Sequence, residues 1–488
     1  MTDILNIKGG DIVEIEIEKL TFQGAGLGRI SSRDTTGHID GLAVFVDGAC
    51  PGDVLRVRIT KKNKSYATAR IVEIVKPSPH RVKPHCALAN ACGGCCWGFI
   101  DYNFTLQQKK LIVQEALHGV KHSPEILDTL KSPDTLEFRH KIQYPIRQTK
   151  VSKRILAGYF KTGSHEIVNV KHCPIQPEVV DKIIDFVRSE WVLGAYDEKT
   201  GKGLLKHAVI RKSSSGEGLL LTLVLNSARV EKGVTDFANK IKTAHKEITG
   251  VLVNFNPDAV NTILSKEFQL IAGDDFIFEA AGSKRYKISA NSFFQTNPKC
   301  AAVLFDVVKG FVGEGSSVLD AYGGVGAIGI WVSDKAKSVV LVEESESAVK
   351  NAKENFKLNE VKNYAEMSER NKNKVFNSQA NETKRSAVRY EVFLGDAKIC
   401  FNEFLIKKRK FDHVILDPPR KGCERKALEL ISKLTNSIIY VSCNPQTLSR
   451  DIKILEDKGF TCKKIQPVDM FPHSYHVECV ALIERNTQ

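Results

Sequence analysis

No stretch of the 488 residues approaches the ~18 uninterrupted apolar residues of a membrane-spanning helix, so the pattern argues against an integral helical membrane protein. The first residues, Met1-Thr2-Asp3-Ile4-Leu5, lack the basic-then-apolar pattern of a secretory signal, and a cytoplasmic location is expected. Acid is in short supply. Lys and Arg number 71 and Asp and Glu 57, leaving a formal charge of +14. That excess suits a polyanionic partner but does not choose between nucleic acid and a membrane surface. An apolar share of 42% excludes a wholly disordered chain. Twelve cysteines in so long a chain do not make a secreted disulfide scaffold; in a reducing compartment, clustered cysteines read as metal ligands or catalysts.

What is present divides into three textures, as the length suggests. Over residues 1–75, Val13-Glu14-Ile15-Glu16-Ile17-Glu18 alternates with period two, Gly24 to Gly28 reads as a turn, and Ala43–Val46, Val54–Ile59 and Ala67–Val75 read as further strands. Five short strands predict a small, partly open barrel of the oligonucleotide-binding type. From Asp53 to Lys83 there are nine Lys or Arg against two Asp or Glu, which fits either a lysine-protected edge or a phosphate-tracking groove. Residues 76–285 begin with a Pro-rich linker and a cysteine-rich segment. A helical stretch, Phe104 to His118, follows, and then mixed strands without a repeat, an α+β pattern. From 286 to 488, strands alternate with helices, predicting a doubly wound parallel sheet. The polar stretch at about 361–389 reads as an insertion lengthening one connection.

Within the last part, Ser317-Val318-Leu319-Asp320-Ala321 runs into Tyr322-Gly323-Gly324-Val325-Gly326, a strand entering a glycine-rich turn. Glu343 ends the next strand 23 residues after Asp320, the spacing at which a carboxylate meets a ribose. Gly324-Val325-Gly326-Ala327-Ile328-Gly329 also matches the dinucleotide fingerprint, so a nicotinamide enzyme is an alternative. An acid ending the first strand, however, repels pyrophosphate and suits a cationic ligand such as S-adenosylmethionine. Asp396 and Asp417 follow two later strands, giving four acids at successive strand ends. Cys443 lies just beyond the apolar strand Ile438–Ser442, on the same edge. Glu478 sits in an otherwise apolar strand, where burial raises its pKa toward that of a general base.

Asp417-Pro418-Pro419-Arg420-Lys421-Gly422, Ser442-Cys443-Asn444-Pro445 and His476-Val477-Glu478 together resemble the RNA uracil-5-methyltransferases. Phe293-Phe294-Gln295-Thr296-Asn297 resembles that family's cofactor motif, and the N-terminal barrel resembles the RNA-binding TRAM domain. The resemblance implies an S-adenosylmethionine-dependent enzyme with a Rossmann-like C-terminal domain. It makes Cys443 the nucleophile and Glu478 the base, with Gln295, Tyr322, Glu343, Asp396 and Asp417 lining the cofactor site. Gly323 departs from the cysteine or serine frequent at that position, where only a small residue is needed. The chemistry accounts for these residues independently. Uracil C5 becomes nucleophilic once a thiolate has added at C6, and a base must then remove the C5 proton so that the cysteine can leave. The target uridine must be flipped out of its stack to be reached.

Cys86, Cys92 and Cys95 form a three-thiol constellation with Cys96 beside it, and Cys173-Pro174 lies downstream. Zinc more usually takes two close pairs, whereas three clustered cysteines and a distant Cys-Pro resemble iron–sulfur ligation. The family resemblance implies a 4Fe–4S cluster on Cys86, Cys92, Cys95 and Cys173, with Cys96 outside the set and His85 and His172 as polar neighbours. The expected partner is RNA, ribosomal (23S) ahead of the T-arm of transfer RNA, with no membrane and a monomeric enzyme. A non-catalytic RNA-binding protein on the same fold is the alternative of another class.

Overall fold

The computed structural model describes residues 7–33, 39–257, 262–363 and 389–486. Strands Ile12–Leu20, Gly26–Arg33, Ile39–Val46, Tyr66–Lys76 and Val54–Lys62 close into a barrel in that spatial order. The period-two alternation shows in the burial of the first strand: Val13, Ile15 and Ile17 point inward while Glu14, Glu16 and Glu18 face out. One expectation is corrected. The turn ends at Ala25, and Gly26 and Gly28 lie inside a strand. Position 28 admits no side chain because a Cβ there would stand 2.4 Å from the Glu16 carbonyl oxygen.

A seven-stranded sheet follows, in the order Phe268–Gly273, Ile248–Phe255, Leu219–Leu225, Leu205–Lys212, Lys141–Gln148, Ile155–Phe160 and Ile167–Asn169. All seven residues of Leu219–Leu225 are buried. Helices Glu178–Glu190 and Lys232–Ala244 bury Val180, Ile183, Ile184, Val187, Val234, Phe237 and Ile241 in the same core.

The third unit is a nine-stranded sheet. Its order is Lys362–Asn363, Arg389–Leu394, Ser338–Glu343, Ser317–Ala321, His413–Leu416, Ser437–Ser442, Glu478–Arg485, Phe460–Val468 and Glu125–Ile126. The first six strands run parallel, and Glu478–Arg485 is antiparallel to its neighbours. Two features cross the boundaries read from the sequence. Glu125–Ile126 pairs with Lys464 and Ile465, although it precedes the central sheet. The hairpin Phe276–Ala281/Lys284–Ser289 spans position 285, and its Ile277, Tyr286 and Ile288 pack with Phe305 and Trp331 in the third unit's core. Most of the polar insertion, 364–388, lies outside the described residues. Among the described residues no helix is long and apolar enough to cross a membrane.

Buried polar contacts tie the parts together. Asp53, fully buried at the barrel's base, accepts from Arg81 Nε and Nη2 at 2.7 Å each, and from the Cys50 and Ser78 amides at 2.6 and 2.9 Å. Arg81 therefore latches the cysteine segment to the barrel and does not belong to an RNA-facing stripe. Lys109 of helix Tyr102–Ala116 and Asp469 form an ion pair with no solvent exposure on either side chain.

Candidate active site

The strand Ser317–Ala321 pairs with Ser338–Glu343 on one side and His413–Leu416 on the other. Chain order reverses there, and crevices for ligands open at the carboxyl ends of strands at such a point. The turn that follows is built for close approach. Gly324 and Gly326 have φ of 55° and 83°, and Tyr322 holds a left-handed φ of 63° that a side chain rarely adopts. At Gly323 a Cβ would stand 2.5 Å from Leu341 Cγ, so in this chain even a small side chain requires Leu341 to move.

The four strand-end acids are not equivalent. Asp320 is completely buried and accepts from the Gly329 amide at 2.9 Å, fastening the helix Ala327–Val332 to the strand. Burial pushes its carboxyl up to about 7, with Asp417 and Glu343 adding to the rise. Glu343 accepts from the Gly324 amide at 3.0 Å and from Ser345 at 2.8 Å, bracing the glycine turn. Asp396 caps helix Ala397–Ile406, accepting from the Lys398 amide at 2.8 Å. Asp417 is half-buried, and its desolvation pushes the carboxyl up to about 7. Backbone amides already engage three of the four acids, Asp320, Glu343 and Asp396.

Gln295, Tyr322, Glu343, Asp396, Asp417, Cys443 and Glu478 all line one cavity of about 540 Å³. Two of them meet through strand register. Ser442 pairs with Cys479, so Cys443, one residue beyond its strand, and Glu478, the first residue of its own, are the next positions across the ladder. Asn444 then caps helix Pro445–Glu456 by accepting from Gln446, which leaves Cys443 between the strand's end at Ser442 and the helix. Burial pushes the Cys443 thiol up to about 11, with Glu478 and Asp417 adding to the rise and Arg420 opposing it. Burial likewise pushes Glu478 up to about 8; Asp417 adds and Arg420 opposes.

Arg420 and Phe471 line the same cavity and carried no assigned role in the sequence reading. Arg420 stands in the Asp-Pro-Pro-Arg motif, whose loop is pinned by buried Asp451. Asp451 accepts from the Cys423 amide at 2.8 Å, Tyr440 Oη at 2.6 Å and Arg450 Nε at 2.8 Å. Gly422 leaves room for this, as a Cβ there would lie 2.6 Å from both Arg450 Nη2 and Asp451 Oδ2. Phe471 has no local signal. Its loop is held by Asn297 Nδ2 donating to the Met470 carbonyl at 3.1 Å, Lys109 Nζ to Phe471 at 3.1 Å, and the Trp97 amide to His473 at 2.9 Å.

A second, smaller cavity, about 40 Å³, is lined by Cys86, Cys92, Cys95 and Cys173 together with Leu88, Tyr159 and His473. Burial pushes Cys95 up to about 12, and the thiols of Cys173, Cys92 and Cys86 each add to the rise, so the four sulfurs lie within electrostatic reach. Cys96 packs elsewhere, with Leu20, Cys50 and Trp97. Among the described residues no three His, Cys, Asp or Glu side chains gather as ligands of a single metal ion.

Residues 260–486 match the model of the tRNA (Uracil-5-)-methyltransferase family, and residues 8–72 match the TRAM domain. An uncharacterised RNA methyltransferase of Halalkalibacterium halodurans is 31% identical over 486 residues, covering 98% of each chain. One from Listeria monocytogenes is 33% identical over 492 residues, covering 98% of this chain and 99% of its own. The crystal structure of Pyrococcus abyssi tRNA (uracil-54, C5)-methyltransferase, in complex with S-adenosyl-L-homocysteine, shares the fold. Its TM-score is 0.69 at 23% identity, over 96% of this chain and 100% of that one. With a TRAM domain before it and a uracil-5-methyltransferase region behind, the chain belongs to the RNA methyltransferases of the uracil-5 family.

Proposed function

We propose that this protein transfers a methyl group from S-adenosylmethionine to C5 of a uridine in structured RNA, with 23S ribosomal RNA as substrate. The observation that carries the reading is the pairing of Cys443 and Glu478 at adjacent register positions in a cavity walled by acids. S-adenosylmethionine supplies the methyl group, and its sulfonium charge is what an acid-lined crevice attracts. Gln295, Tyr322, Glu343 and Asp417 would hold it, with Asp396 at the margin.

Cys443 adds to C6 of the flipped uracil as a thiolate, which makes C5 electron-rich. After methylation Glu478 removes the C5 proton, and the C6–S bond breaks as the ring double bond re-forms. Arg420 favours the thiolate of Cys443 and the carboxylate of Glu478, the two forms this sequence of events requires. The barrel grips RNA outside the target base. A 4Fe–4S cluster on Cys86, Cys92, Cys95 and Cys173 fits the apolar four-thiol cavity. Methyl transfer moves no electron through the protein, so such a cluster would tie the segment after the barrel to the loop around Cys173.

Transfer RNA is the second reading for the substrate, favoured by the name of the matching family and by the substrate of the Pyrococcus enzyme. Mapping 5-methyluridine in ribosomal and transfer RNA from cells with and without the gene decides between them. Loss confined to one RNA class assigns it. Incubation of purified protein with total RNA and methyl-labelled cofactor tests the enzyme itself, and no labelled 5-methyluridine would return the chain to the non-catalytic reading.

A further inference from the structure

A cleft of about 890 Å³ lies beside the catalytic cavity, between the end of helix Tyr102–Ala116 and helices Arg425–Leu434 and Pro445–Glu456. Lys421, Gly422 and Glu424 line both spaces, so the cleft opens directly onto the loop that carries Arg420. Its charges are sorted in an unusual way. The three acids on its wall are each engaged by a lysine that does not line it: Glu115 by Lys19 at 2.5 Å, Glu424 by Lys398 at 2.8 Å, and Asp457 by Lys121 at 3.0 Å. Of the cations, Arg450 is bonded to Asp451. Lys421, Arg425 and Lys453 are exposed and make no ion pair among the described residues.

Isolated exposed cations are ordinarily just a solvated face. Here three stand around one concavity whose acids are already neutralised from outside, and concave walls concentrate the field of such charges. An occupant must be anionic, extended and continuous with the catalytic pocket. We infer that the cleft holds the sugar–phosphate backbone of the RNA strand flanking the flipped uridine, with Lys421, Arg425 and Lys453 on its phosphates. Extruding a base costs stacking energy, and contacts to the flanking backbone offset that cost while holding the strand in register. The inference rests on the reading of the protein as an RNA uridine methyltransferase and adds the path of the strand.

The test is the double variant Arg425→Glu/Lys453→Glu, whose two positions lie on exposed helix surface outside the catalytic cavity. Binding of a fluorescein-labelled oligouridylate is measured without cofactor across a salt series. Loss of two phosphate contacts should weaken binding about tenfold and lower the slope of log K against log salt by about 1.4. S-adenosylhomocysteine titration checks the fold; if it fails, Arg425→Gln/Lys453→Gln replaces the variant. Affinity and slope equal to wild type overturn the inference. So does an equal loss in Lys232→Glu/Lys246→Glu, two exposed lysines on the central unit, because net charge alone would then account for it. Binding is read without methyl transfer, so a wild-type protein that binds RNA through the cleft yet methylates nothing sinks the functional reading and leaves the cleft standing.

Discussion

The two cysteine-bearing cavities make an instructive pair. The catalytic cavity is about 540 Å³, walled by carboxylates, and contains a single thiol, Cys443. The other is about 40 Å³, largely apolar, and contains four thiols. Burial raises the pKa of Cys443 and of Cys95 alike, to about 11 and about 12. What separates them is the mix of charges around each thiol. At Cys443 the Glu478 carboxylate adds to the rise and Arg420 pulls the thiol back toward its thiolate, whereas Cys95 sees four further thiols, Cys173, Cys92, Cys86 and Cys96, that all push it up. A cysteine's reactivity is thus set by the charges facing it, which is why the proposal gives the two sites different tasks.

The sharpest break in that comparison is Cys443→Ala. It should abolish both methylation and covalent trapping by RNA containing 5-fluorouridine, leaving cofactor binding intact; residual turnover above background removes Cys443 from the mechanism. Next in size is Glu478→Gln, expected to slow turnover by about 10²–10⁴-fold. It should also let a covalent protein–RNA adduct accumulate on a denaturing gel, since addition proceeds while proton removal stalls. For the wild-type enzyme, kcat/KM should rise with pH through about 8, where Glu478 ionises. The sign for stability is opposite. The folded pKa lies above the ordinary carboxyl value of 4.5, so the folded state binds more protons between about 4.5 and 8, and the Glu478 contribution is lost as pH rises through that window. Melting curves of wild type and Glu478→Gln should therefore diverge in favour of the variant as pH rises from about 4.5 to 8 and stay apart above it, and parallel curves across that window would count against a buried, proton-holding Glu478.

Cys173→Ser addresses the other cavity. Anaerobically purified wild type should be brown with about four irons per chain, and this variant should lose the colour and melt earlier while still binding S-adenosylhomocysteine. Cys96→Ser, in its separate apolar cluster, should keep the colour. Stoichiometric zinc without iron would replace the cluster and leave the catalytic cavity's account untouched. The smallest effect is expected from Gly323→Ser, which crowds Leu341 and should cost about 1–3 kcal/mol of stability in denaturant titrations.

The catalytic half was legible because its chemistry sits at strand ends, where an apolar run stops and a polar motif begins. Asp417 to Gly422 and Ser442 to Pro445 are local signals of that kind. Phe471 was not legible, because its loop is held by Trp97, Lys109 and Asn297, none of them near it in the chain. Arg81 was misleading in its basic stripe, since only the fold brings Asp53 within 2.7 Å of it. The domain limits were blurred for the same reason: Glu125–Ile126 reads as a short strand of no fixed allegiance until it meets Lys464 and Ile465.

By itself the sequence determined the period-two strands of the barrel, the glycine turn after Asp320, the cysteine spacing and the order of motifs, because each depends on residues within a few positions of one another. Only the tertiary structure decided which acids are already engaged by backbone amides, which thiols share a cavity, and that Cys443 and Glu478 are register neighbours. These depend on strand pairing and burial between segments tens to hundreds of residues apart, and a carboxylate or thiol carries no local mark of the dielectric and charges it will meet when the chain closes around it.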